Sequence, residues 1–185
     1  MQVVAFYTKN TPYENEVQDF IDSMNEYKVR HTIYPIESQD CWELNCAMKP
    51  RVLFDALHTI DDNILYLDID SRMEREPPFE EIERDIPGLC FFQKKRTSKR
   101  GPSLLSGTIY LPNNQSSKDL VRDWLYVQQA SPYTWDQQTL QAVSAHHEYF
   151  EMPLKWVKIF DQNMCDEEPV VVHYQASRLY KSQID

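Results

Sequence analysis

The sequence predicts an α/β domain whose mixed, mostly parallel central sheet is flanked by helices. Three observations predict it. Short apolar runs of strand length alternate with stretches of helical periodicity along the chain. The first thirty-six residues read as a β-α-β opening, and the run Ile64, Leu65, Tyr66, Leu67 is continuously apolar, as expected of a parallel strand buried on both faces. A length of 185 residues suits one compact domain with a substantial core.

Residues 3–7 form the first strand. Thr11-Pro12 follows, with Glu14 three positions after Thr11, which predicts a capping box with proline at the first helical position. Val17, Phe20, Ile21 and Met24 then recur at helical spacing to about Tyr27. A short strand over residues 31–36 is expected beside the first. Leu53, Leu57 and Ile60 share a helical face behind Pro50, and the turn Asp61-Asp62-Asn63 launches the central strand. Residues 72–87 are charged and proline-rich, which predicts an irregular excursion with one short helix, anchored by Phe79 and Ile82.

GLCFF is a further strand. It leads into QKKRTSKRG, whose Lys94, Lys95, Arg96, Lys99 and Arg100 stand out in an acidic chain. They read as a solvated loop or as a mobile loop that neutralises substrate phosphate. SLLSGTIYLP supplies another strand, with Ser106-Gly107 where backbone can approach a ligand closely. A helix after Ser116 should turn Leu120, Val121, Trp124, Leu125 and Val127 inward. Thr134 and Gln137 suggest a second capping box, which puts Asp136 and Gln137 in a first helical turn open to an anion or to sugar hydroxyls. LKWVKIF alternates as a strand, and Val170–Val172 form a late apolar strand ending at His173.

Composition removes several classes. The formal charge of −10 works against broad nucleic-acid binding and favours divalent cations at an acidic crevice. The only glycines are Gly88, Gly101 and Gly107, too few and too scattered for a GxGxxG fingerprint or a GxxxxGK[ST] loop. Cys41, Cys46, Cys90 and Cys165 lack CxxC spacing and read as reduced thiols. No apolar run approaches the roughly 18 to 20 residues of a membrane span, and no signal-peptide pattern opens the chain. A soluble, cytoplasmic protein without a transmembrane segment is expected.

The chemistry centres on ILYLDIDS. Strand alternation would put Asp68 and Asp70 on one side, at the carboxyl end of a strand where α/β sheets bind ligands. Two adjacent carboxylates call for a cation. With His173 at the end of its own strand, they would form a Mn²⁺ or Mg²⁺ site with positions left open for phosphate oxygens. Arg178 lies where the returning chain could reach a diphosphate, with Lys181 as a weaker second candidate. On spacing alone the pair also describes a phosphatase.

Taken in order, VVAFYT, MKPRVLFDAL, ILYLDIDS, SGTIYLPN, WDQQTL and VVHYQASR resemble the small nucleotide-diphospho-sugar transferases of the GT-A fold, the DxD glycosyltransferases, over most of the chain. The resemblance implies one GT-A-like domain over residues 1–185. It also implies metal-dependent transfer of a sugar from a nucleotide-diphosphate donor, a UDP-sugar being favoured, to a carbohydrate or glycoconjugate acceptor. By segment, Tyr7 and Thr8 would contact the base or ribose and Lys49 the diphosphate or donor pocket. Asp68 would face the donor or a metal-bound water, Asp70 and His173 would ligate metal, and Ser106 and Gly107 would line the donor-sugar side. Asp136, with Gln137, would bind sugar hydroxyls or act as general base, and Arg178 would lie near the diphosphate. The chain is short for this fold, which leaves open a reduced acceptor subsite, a catalytic part of a longer protein, or reliance on a partner. The alternatives are a haloacid-dehalogenase-like phosphatase, whose DxD strand usually lies near the N-terminus, and a noncatalytic nucleotide-sugar-binding domain.

Overall fold

The computed structural model describes residues 1–39, 41–92 and 101–184. The basic cluster at 94–100 lies outside the described residues. The architecture is a six-stranded mixed sheet with helices packed on it and a three-stranded sheet beside it.

The chain opens with β1 (Gln2–Thr8), α1 (Val17–Glu26) and β2 (His31–Ile36). β2 pairs parallel to β1, as the β-α-β reading requires. The Thr11-Pro12 signal caps a 3-10 turn, Pro12–Glu16, which runs directly into α1. Its box is displaced by one residue, because the Glu14 carboxylate accepts from the Asn10 N–H at 2.9 Å. Two consecutive helices follow, α2 (Trp42–Ala47) and α3 (Lys49–Thr59), the second with proline in its first turn. They deliver the chain to β3 (Ile64–Leu67), all four residues buried, parallel to β1.

After β3 the chain makes a short strand, β4 (Ser71–Met73), inside the segment read as irregular. The rest of that segment is as expected. A 3-10 turn, Phe79–Glu81, is anchored by fully buried Ile82 and by Phe79 stacked on Trp156. β5 (Gly88–Phe92) and β6 (Ser103–Leu111) form an antiparallel pair, and β6 runs antiparallel to β3. α4 (Gln115–Ala130) is capped by Asn114, two residues earlier than the sequence suggests. Leu120, Val121 and Trp124 are buried, whereas Leu125 and Val127 are half-buried.

α5 (Asp136–Ser144) has Asp136 and Gln137 in its first turn as predicted, but it begins one residue later than a Thr134 cap implies, and Thr134 is not its cap. The Thr134 N–H is held in a turn to Ser131 and its carbonyl accepts from Gln128 Nε2 at 2.8 Å, which leaves extended Trp135 at the N-cap. β7 (Phe150–Glu151) completes the large sheet in the order β2-β1-β3-β6-β5-β7. LKWVKIF is only briefly a strand. Leu154–Trp156 is a 3-10 turn and β8 is confined to Lys158–Ile159. The turn buries Lys155, Trp156 and Val157 in succession, which a one-faced strand cannot do, and Lys155 pairs there with Glu81 and Glu167. β9 (Val171–His173) lies between β4 and β8, and α6 (Ser177–Tyr180) follows.

Two apolar clusters hold the large sheet. Val3, Ala5, Leu65, Leu67 and Trp156 belong to the one on the α1 side, and Val4, Ile64, Tyr66, Ile109 and Trp124 to the one under α3, α4 and α5. Alternate residues of β1 and β3 therefore feed opposite cores, which is why those strands are apolar throughout. No helix among the described residues is long and apolar enough to cross a membrane, and their cysteines form no disulfide.

Candidate functional site

A cleft of about 960 Å³, its open mouth included, lies at the carboxyl ends of β1 and β3. Its floor carries Asp68 and Asp70. These carboxylates do not converge by strand alternation, since β3 stops at Leu67 and Ile69-Asp70 form a turn closed by the Ser71 N–H on the Asp68 carbonyl at 3.0 Å. The turn aims both carboxylates at His173. One ligand atom from each of Asp68, Asp70 and His173 lies within 4.8 Å of the others.

His173 is buried directly behind the two aspartates, with Nδ1 3.9 Å from Asp70 Oδ1. Its tautomer follows from its neighbours. The Thr108 hydroxyl donates to the Trp156 carbonyl at 2.7 Å, so its oxygen accepts from His173 Nε2 at 2.9 Å. Nδ1 is left with its lone pair toward the carboxylates. Burial lowers the His173 pKa to about 4, so the ring is neutral at physiological pH. Gly107 makes room for it, because a Cβ there would lie 2.8 Å from His173 Cε1 and 2.9 Å from Nδ1.

Asp70 is pushed up to about 7, first by burial and then by the charge of Asp68. Its Oδ2 accepts the Ala176 N–H at 2.8 Å, a bond set up by Gln175 in a left-handed conformation at φ 57°. This donor set fits a divalent cation. It comprises two crowded carboxylates, one of them with its pKa raised by burial and by its charged neighbour, and one proton-poor imidazole nitrogen.

A second charged group forms the adjoining wall. Lys49, at the start of α3, places Nζ 2.8 Å from Asp136 Oδ2 and 2.9 Å from Asp68 Oδ1. Burial opposes its charge, but Asp136 and Asp68 outweigh that and hold the ammonium above its ordinary pKa. Burial likewise pushes Asp68 up, and Lys49 with the Tyr66 hydroxyl at 2.7 Å reverses this to a lowered value. Ser106 Oγ donates to Asp136 Oδ2 at 2.8 Å and its carbonyl accepts from Lys49 at 3.2 Å. Asp136 is therefore far more than a helix-start charge. It is buried and anchored through Lys49 to the turn that holds Asp68.

Among the residues expected from sequence, Tyr7, Thr8, Lys49, Asp68, Asp70, Ser106, Asp136 and Gln137 line the cleft. Gly107 and His173 stand behind its floor. Arg178 does not line it. Its guanidinium pairs with Asp161 at 2.6 Å and lies over Phe160, and that pair would have to break before it met a ligand in the cleft. One helical step beyond cleft-lining Ser177 puts Arg178 on another face. Lys181 pairs with Glu43 at 2.6 Å and sits over the rings of Trp42 and Trp135.

Sequence reasoning missed the aromatic wall. Tyr13, Trp42 and Trp135 line the cleft together with Asn45 and Cys46. The signal was present, because Trp42, Asn45, Cys46 and Lys49 fall at i, i+3, i+4 and i+7, the stripe of one helical face. It runs across the junction of α2 and α3 and faces the cleft.

No protein-family model and no curated protein matches the sequence. Solved glycosyltransferases do match the structure, at low identity. A glycosyltransferase involved in glycosylation of the major capsid of PBCV-1 aligns with a TM-score of 0.68 and 12% identity, over 99% of this chain and 98% of that one. GlyE of Streptococcus pneumoniae TIGR4 gives 0.62 and 13%, over 94% of this chain and 54% of its own, so this chain spans about half of that protein. The galactosyltransferase LgtC, solved with donor and acceptor sugar analogues, gives 0.58 and 13%, over 95% and 87%. The chain has a GT-A-like glycosyltransferase fold, and the Asp68–Asp70 turn lies on the floor of its cleft.

Proposed function

We propose that this protein is a metal-dependent, cytoplasmic glycosyltransferase that moves a sugar from a nucleotide-diphosphate donor, a UDP-sugar being favoured, to a carbohydrate or glycoconjugate acceptor. The observation that carries the proposal is the convergence of Asp68, Asp70 and His173 at the floor of a cleft whose wall is built on Lys49 and Asp136. Asp70 Oδ1 and His173 Nδ1, with Asp68, would hold Mn²⁺ or Mg²⁺. When bound, the ion supplies Lewis-acid stabilisation to the departing nucleotide diphosphate.

The chain's own residues supply the rest. Tyr7, Thr8 and Tyr13 offer an aromatic and hydroxyl-bearing surface at the end of β1 for a base and ribose. Lys49 holds Asp68 and Asp136 in register, so that the Asp68 carboxylate faces the cleft with about a third of its side chain exposed (34%). Asp136 holds its position against Ser106 and can accept a hydroxyl proton from donor or acceptor sugar. Gln137, in the same helical turn, offers an amide to neighbouring hydroxyls. The buried floor limits water, which would otherwise compete with the acceptor.

The test is incubation with UDP-, GDP- and dTDP-sugars and Mn²⁺, with and without EDTA, following nucleotide release and transfer to simple glycosides. Metal-dependent transfer that is lost in Asp70→Ala supports the proposal. Transfer that survives in Asp70→Ala refutes the site. Phosphate release from small phosphomonoesters would instead identify a phosphatase, and tight donor binding without turnover a binding domain.

A further inference from the structure

The cleft has one feature that metal and nucleotide chemistry leave unused, the aromatic corner made by Trp42 and Trp135. Their rings meet edge to face at 5.4 Å, and both line the cleft. Trp42 is fixed from behind by its Nε1–H on the Tyr13 hydroxyl at 3.1 Å. Trp135 is the residue before buried Asp136, yet its own side is 44% exposed. An indole braced edge to face by an anchored neighbour and still partly exposed at the mouth of a polar cleft is an unusual use of a large apolar surface. It is also ringed by hydrogen-bonding groups. Lys181 Nζ lies 4.2 Å from the Trp42 centroid and 5.3 Å from that of Trp135, and the same ammonium pairs with Glu43.

We infer that the Trp42–Trp135 corner is a subsite for a pyranose ring, which stacks its C–H face on the Trp135 indole while its hydroxyls meet Lys181, Glu43 and Gln137. Flat aromatic surface bordered by charged and amide groups matches a sugar, which is apolar on its ring faces and polar around its rim. A phosphate would leave the indole uncovered, and a purely apolar ligand would strand the Lys181–Glu43 pair away from water. The ring could belong to the acceptor or to the donor's glycosyl group. This inference rests on the sugar-transfer reading, and it adds the residues that would select the sugar.

The protein carries its own reporter. Of its four tryptophans, Trp124 and Trp156 are fully buried, so acrylamide quenching of fluorescence reports Trp42 and Trp135. The experiment titrates methyl pyranosides, UDP and UDP-sugars, with Mn²⁺, into the wild type, Trp135→Phe, Trp135→Leu and Trp42→Phe, with a thermal melt of each variant. At least one pyranoside or UDP-sugar should lower quenching by about twofold or more and bind Trp135→Leu about tenfold more weakly, with Trp135→Phe retaining most of the affinity, as stacking on an aromatic face requires. Protection by a methyl pyranoside assigns the corner to the acceptor, and protection by UDP-sugar beyond that of UDP assigns it to the donor's glycosyl group. Absence of protection by every sugar, or equal sugar affinity in wild type and Trp135→Leu with unchanged melting, overturns the inference. If UDP binds with Mn²⁺ but no sugar protects, the subsite fails alone. If sugars protect but no nucleotide binds, the nucleotide-sugar reading fails and the subsite stands.

Discussion

The Thr108 hydroxyl accepts the Nε2 proton of His173 at 2.9 Å, and this one contact decides which imidazole nitrogen faces Asp68 and Asp70. Thr108→Val keeps the shape and removes the acceptor. Mn²⁺ affinity, measured by calorimetry, should fall about 10- to 100-fold, and urea denaturation should show a loss of about 1–3 kcal/mol from the stranded donor. Thr108→Ser should retain both, and unchanged affinity in the valine variant would contradict the tautomer assignment.

Gly107→Ala tests the space behind the floor. The added methyl would meet His173 at 2.8 Å and Asp68 Oδ2 at 3.2 Å, so the imidazole must move away from the carboxylates. Mn²⁺ binding should weaken by about tenfold or more, with a smaller change in thermal stability, since the displaced group is a ligand. Wild-type affinity in this variant would mean that His173 is not one.

Lys49 is the counterion of two carboxylates. Lys49→Met should destabilise the protein by about 3–5 kcal/mol in urea denaturation, chiefly because buried Asp136 loses its partner. Asp136→Asn should instead fold with wild-type metal affinity, and its transfer rate should drop about 10²-fold or more if its carboxylate takes a proton. Transfer at the wild-type rate in Asp136→Asn would remove it from the chemistry.

Metal affinity should depend steeply on pH. Asp70 titrates near 7 in the folded protein and a cation must displace its proton, so apparent Mn²⁺ affinity should rise about tenfold per unit up to pH 7 and then flatten. Without metal the same group has the opposite effect on stability. Its folded pKa is raised from 3.8, so its stabilisation is present below 3.8 and lost as pH rises through about 7. His173, lowered from 6.5 to about 4, contributes stability above 6.5 that is lost as pH falls through about 4. Calorimetric titrations at several pH values and melts in EDTA measure both slopes, and a flat affinity profile between pH 5.5 and 7, roughly the window in question, would contradict the placement of Asp70.

Local chemistry was legible wherever a residue's environment is set by its own neighbours in sequence. Continuous apolarity over Ile64–Leu67 marks a strand enclosed on both faces, and the structure encloses it. The charged excursion after Arg72 was legible for the same reason, as were the first-turn positions of Asp136 and Gln137. The second capping box and the strand in LKWVKIF were misread because side chains outside each segment override its local preference. Gln128 takes the Thr134 carbonyl, and Glu81 and Glu167 take Lys155. β4 was invisible because three residues carry too little pattern, and they become a strand only through pairing with β9, a hundred positions away.

By itself the sequence determined that Asp68 and Asp70 directly follow a buried strand and that His173 ends another, since period and hydrophobicity are properties of short segments. Only the tertiary structure decided that a turn, rather than strand alternation, brings the carboxylates together. It also set Lys49 between Asp68 and Asp136, paired Arg178 with Asp161, and made Trp42 and Trp135 one wall. The turn is tied to distant chain by the Asp68 N–H on the Gly107 carbonyl and the Tyr174 N–H on the Asp70 carbonyl, and the other relationships join side chains well separated in sequence, so their energies depend on distance and burial in space, which no local pattern encodes.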